Sequence, residues 1–129
     1  MRRLKVATFG EAERGKFSFP YIIRDLGELE HALGNPPGES LGLFYAVQAL
    51  LFEKELVFFR VSEEGYGKKE YLNGIKELER MDPKSPIGAI ILPGVGDDEI
   101  ISATKNLCRL NKSLLVLTEK DLYDYLTAI

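Results

Sequence analysis

At 129 residues, 45% apolar and 29% charged, the chain is long enough to bury a core without disulfides or metals and too apolar to be disordered. A net charge of −3 with no basic cluster excludes charge-driven attraction to a nucleic-acid backbone. The single cysteine, Cys108, rules out an internal disulfide and suits a reducing compartment.

The opening MRRLKVATFG has too short an apolar run for a signal peptide, and no stretch approaches the roughly 20 apolar residues of a membrane helix. A cytoplasmic protein of one domain, 1–129, is expected. Leu4 to Phe9 predicts a short strand, followed by a glycine-bounded polar loop, Gly10 to Lys16. Phe17 to Ile23 resumes an extended pattern, and Pro20 confines it to an edge or a strand start. Asp25 to Glu28 resembles a capping box opening a short helix with Leu26, Leu29 and Leu33, which the prolines after Gly34 end.

Ser40 is placed to cap the next helix, Leu41 to about Glu53, in which Gln48 is the only strongly polar side chain before Glu53. A helix lying on a sheet needs one apolar stripe, and this one is apolar nearly all round. About half of Leu41, Leu43, Phe44, Tyr45, Val47, Leu50, Leu51 and Phe52 therefore needs a second cover, from residues 17–37 or from another protein. Phe44, Tyr45, Gln48 and Phe52 are assigned to that contact surface, so a homo-oligomer or a protein partner is expected.

Glu55 to Val61 reads as a central strand interrupted by Arg60, whose head is expected in solvent at the strand end; a buried head would need Glu63 or Glu64. After a turn at Gly65 to Gly67, Lys68 to Arg80 forms a helix with Tyr71, Leu72, Ile75 and Leu78 on one face, broken by Asp82 to Pro86. Residues 87–118 then read as a β-α-β unit: an apolar run Ile87 to Leu92, a Pro93-Gly94 stop, a helix with Ile100, Ala103, Thr104, Leu107 and Cys108 inward, and a second run Leu114 to Leu117. Thr118 caps a last helix, Glu119 to Thr127. The alternation predicts an α/β fold: a mainly parallel sheet of four to five strands with helices on both faces, in a single three-layer domain.

Residues 10–16 satisfy G-x-x-x-x-G-K, yet Phe17 stands where a Mg²⁺-binding hydroxyl belongs, Glu11 and Glu13 oppose a phosphate, and no helix follows. Gly94 and Gly96 lie at the C-terminal end of a parallel strand, the edge where open α/β sheets bind ligands, and are the candidate cofactor-binding positions. Asp97, Asp98 and Glu99 there repel an anion and suit helix capping; paired carboxylates also suit Mg²⁺, but no further ligand can be placed. His31, the only histidine, reads as a surface residue, and no catalytic set, metal cluster or cofactor is expected from the residue pattern.

Four segments in common order resemble the central α/β core of contractile tail-sheath proteins of tailed phages and related injection machines. They are Phe9 to Gly15; Ile23 to Leu29 with Leu33-Gly34; Leu43 to Phe52 followed by Leu56 to Val61; and Ile87 to Gly94. The resemblance spans about Thr8 to Leu126 and implies a non-enzymatic assembly module. Sheath proteins are several times longer and exchange terminal arms between subunits, which the matched core does not include. The competing expectation is a small-ligand or nucleotide-binding domain, with its site at the strand ends near Gly65 and Gly94.

Overall fold

The apolar runs of the sequence come together as one five-stranded sheet in the computed structural model, which describes residues 5–35, 37–38, 40–81 and 86–128. The strands are β1 (Lys5–Gly10), β2 (Tyr21–Ile23), β3 (Glu55–Arg60), β4 (Ile87–Ile91) and β5 (Leu114–Val116). Their spatial order is β2-β3-β1-β4-β5, with β2 antiparallel at one edge and the other four parallel. The helices are α1 (Leu26–Leu33), α2 (Gly42–Leu51), α3 (Lys68–Glu79), α4 (Asp98–Asn111) and α5 (Glu119–Thr127). This is the expected single α/β domain with a mainly parallel sheet.

Alternate strand residues face opposite layers, which is why the central strands are apolar without a break. Phe9, Val57, Phe59, Ile90 and Leu92 meet α3 and α4 on one side. Leu56 and Phe58 meet α1 and α2 on the other, while Val6, Ala89 and Ile91 meet α2 and α5. The chain leaves β1 for β3 on one side and returns across β1 to β4. The order thus reverses between β1 and β4, and the loops at their C-terminal ends form the edge where such sheets hold ligands.

Local capping follows the sequence at three helices: the side chains of Asp25, Asp97 and Thr118 accept backbone N–H groups of α1, α4 and α5. It departs from it at α2. Ser40 is not the cap; Leu41 holds that position without a side-chain bond, and α2 ends at Leu51. The breaker expected at 82–86 falls mostly outside the described residues. The cover over α2 is also broader than expected, because α5 packs along one flank while Ile23, Leu29 and Leu33 pack along the other.

Candidate functional site

Three loops meet at the C-terminal edge: Glu11 and its neighbours after β1, Ser62 to Gly67 after β3, and Pro93 to Asp97 after β4. Their centre is Glu64. Its carboxylate accepts the backbone N–H of Leu41 and Gly42 at 2.9 Å each, the N–H of Glu11 at 2.9 Å and the Ser40 hydroxyl at 2.6 Å. In return the Glu64 N–H donates to the Glu11 carboxylate at 2.9 Å. The first amides of a helix attract an anion. At α2 that anion is the chain's own carboxylate, delivered from a loop more than twenty residues downstream.

Two glycines let this happen. A β-carbon on Gly10 would stand 2.5 Å from the Gly42 Cα, so only glycine at both positions lets the start of α2 sit on the end of β1. From sequence Glu64 was named only, with Glu63, as the acid a buried Arg60 would need; its bonds go instead to Glu11, Ser40 and the start of α2, and this glycine contact was not foreseen. The available signal was weak: a helix opening on Leu41, with two adjacent acids in the next strand-end loop.

Gly94 and Gly96 line a shallow pocket of about 340 Å³ with Gly65, Tyr66 and Asp97. Gly65 and Gly94 both have positive φ, 88° and 77°, and a β-carbon on Gly65 would collide with the Gly94 carbonyl. Asp97 is spent on capping, accepting from Glu99 N–H at 2.9 Å and Ile100 N–H at 3.0 Å. Lys68 pairs with two acids at the start of α4, its Nζ 3.9 Å from Asp97 and 3.5 Å from Glu99. Among the described residues no group of three or more His, Cys, Asp or Glu is placed to hold a metal.

The loop at 10–16 is sewn down by its own polar groups. Arg14 donates to the Glu30 carbonyl at 2.7 Å and pairs with Glu13 at 3.7 Å, and Glu13 accepts the Asn35 N–H at 3.1 Å. Lys16 lies over the Phe19 ring, 5.6 Å from its centroid, and β2 follows instead of a helix. Arg60 fits neither expectation. Its half-buried guanidinium stacks on Phe17, 4.5 Å from the centroid, and donates to the Gly15 carbonyl at 2.6 Å, so it anchors this loop.

Of the residues assigned to a contact surface on α2, the structure separates one from the others. Tyr45 points inward and is 4% exposed, packed with Val6, Ile91 and Leu122; the expectation that it faces outward is corrected. The reason is helical spacing: Tyr45 and Ala49, four apart, form the stripe covered by α5. Phe44 and Phe52 remain 44% and 42% exposed, Leu51 is 61% exposed, and Leu41 joins them. Gln48 sits between two grooves. One, of about 480 Å³, runs between α1 and α2 past Leu26, Phe44 and Val47; the other runs between α2 and α5 past Phe52 and Tyr123.

Burial is the leading cause of each shifted titration. Tyr71, stacked on Phe9 beneath the loops, is pushed from 10.0 to about 12 by burial, with Glu64, Glu11 and Glu70 adding to the rise. Burial also raises Tyr45, Tyr125 and Cys108. Cys108 is therefore a packed thiol, not an activated one. His31 is exposed at the end of α1. Among the described residues no helix is long and apolar enough to cross a membrane. No family model, curated protein or solved structure matches the chain.

Proposed function

We propose that this protein is a non-enzymatic assembly or interaction module of the kind implied by its resemblance to the contractile tail-sheath core. It works in a reducing, cytoplasmic setting by burying the outer face of α2 against protein. One observation carries this reading: Leu41, Phe44, Leu51 and Phe52 stay exposed along one helix that has no charged side chain between Gly42 and Leu51. Leaving such side chains wet forgoes roughly 1.5–3 kcal/mol for each one that could be fully buried.

The competing reading, a ligand or nucleotide domain with its site at Gly94 and Gly96, draws on the pocket beside Gly65. It is disfavoured because the amides at the start of α2 are already taken by Glu64.

Covalent footprinting tests the choice. In native lysate, compared with the diluted pure chain, Leu41, Phe44, Leu51 and Phe52 should be protected while Tyr66 stays labelled. Equal labelling of the α2 face in both samples overturns the reading. So does a nucleotide or small metabolite that protects Tyr66 and, at 100 times its Kd, stabilises the protein by about 2.7 kcal/mol.

A further inference from the structure

We infer that the occupant of the α2 face is a second copy of this chain, packed about a two-fold axis that passes beside Gln48 with the two α2 helices antiparallel. The inference rests on the interaction reading above and specifies its partner.

The first support is area. Leu26, Leu41, Phe44, Leu51, Phe52 and Tyr123 line this face at 42% to 63% exposure. With roughly 150–250 Å² for each whole aromatic side chain and somewhat less for leucine, they leave on the order of 500 Å² of apolar surface. A standard interface buries about 800 Å² per partner, of which about 65% is apolar when two copies pair, again about 500 Å². The patch has the size of one interface.

The second support is self-complementarity. A two-fold interface must match itself, so that residue i meets j and j meets i. Phe44 and Phe52 lie four residues either side of Gln48. An antiparallel copy centred on Gln48 sets each Phe44 against the other chain's Phe52, with the grooves flanking α2 available to receive the opposing rings. At the axis the Gln48 side-chain amide, which takes no hydrogen bond among the described residues, carries both a donor and an acceptor and can pair with its own copy. A charged side chain at that point would meet its like. Glu30 and Glu119 stand at the groove edges, where charges stay hydrated.

Light scattering on the purified chain at tens of micromolar is expected to give twice the mass of one chain. Phe44→Glu and Phe52→Lys should each be folded monomers by circular dichroism, with dimer affinity down at least 100-fold. Mixed in equal amounts they should reassociate, because Glu at 44 then faces Lys at 52 while the remaining Phe52 and Phe44 face each other. A monomeric wild type overturns the second-copy inference; lysate protection of the four α2 side chains would then leave the interaction reading standing. A wild-type dimer that both variants leave intact also overturns the inference. If the variants dissociate singly but fail to recombine, the antiparallel arrangement about Gln48 is wrong. Should either variant not fold, Leu51→Lys, at the most exposed position of α2, replaces it in the dissociation test.

Discussion

The two helical layers of this protein finish their outer surfaces differently. On one side α3 and α4 each give the sheet a single stripe, and their outer faces carry Lys69, Asn73, Lys76, Lys105 and Arg109, all exposed, with Leu110 near the end of α4 a lone apolar exception. Beneath them the core is aromatic and tight: Phe9 stacks on Phe59 at 4.7 Å and on Tyr71 at 5.3 Å. On the other side α2 lies against the sheet through alanines, Ala46 and Ala49, and takes further cover from α1 and α5. Even so, its last stripe stays apolar and open. A helix whose own sequence supplies a polar back needs nothing more, whereas one flanked by two others and still apolar on top has a surface that folding of the single chain leaves wet.

The largest effect should come from the tight side. Phe9→Ala removes a fully buried ring shared by two aromatic neighbours, and a loss of about 3–5 kcal/mol is expected in urea unfolding. A loss under 1 kcal/mol would mean that this layer is far looser than its packing implies.

Glu64→Ala strips the start of α2 of its cap and should cost about 2–3 kcal/mol. Glu64→Gln should cost less, since an amide oxygen still accepts but without charge. Equal stability of all three proteins would remove Glu64 from any structural role.

An alkaline titration reads the tight layer again. The folded-state value of Tyr71, about 12, lies above its unfolded value of 10.0. The folded chain therefore holds a proton that the unfolded chain releases. Stability from this group is complete below pH 10.0 and is lost as pH rises towards about 12. The total is on the order of 2 kcal/mol, shared in direction by Tyr45 and Tyr125. Tyr71→Phe should flatten the slope of stability against pH in that window; an unchanged slope assigns it to the other tyrosines.

The smallest effect belongs to the open stripe. Leu51→Lys, measured on dilute monomer, should change stability by no more than about 0.5 kcal/mol, because the side chain is 61% exposed. A cost of several kcal/mol would place Leu51 in the chain's own core.

Elements whose causes are local could be read from the sequence. The period of α3 and α4, the unbroken apolar strands, and caps such as Asp97 that act within three residues all stood where expected. What could not be read depends on partners far along the chain. Tyr45 turns inward because α5, more than seventy residues later, closes over it. Arg60 finds Phe17 and the Gly15 carbonyl through a loop whose path the sequence does not specify. The α2 stripe was legible in outline, since four of the eight apolar residues flagged there are exposed, but which four follows only from the placement of α1 and α5. Gly94 and Gly96 lie in the loop just after β4, where the end of an apolar run at Leu92 puts them. The carboxylate that dominates the C-terminal edge was not recognised, because it acts on amides 22 residues away.

That long reach also sets an order of events in folding. α2 has ten residues and no side-chain cap from its own segment, so its first turn is poorly held as an isolated helix. Glu64 comes into position only when β3 has paired with β1 and its loop has turned back over Gly10. The start of α2 should therefore lock late, after the transition state has formed the central parallel pairing. Stopped-flow kinetics on Glu64→Ala are then expected to show unfolding accelerated and folding nearly unchanged. A folding rate that falls in proportion to the lost stability would instead put the clasp in the nucleus. On the late-locking order, the last amides to find their acceptor are those lying between the open α2 stripe and the C-terminal edge of the sheet.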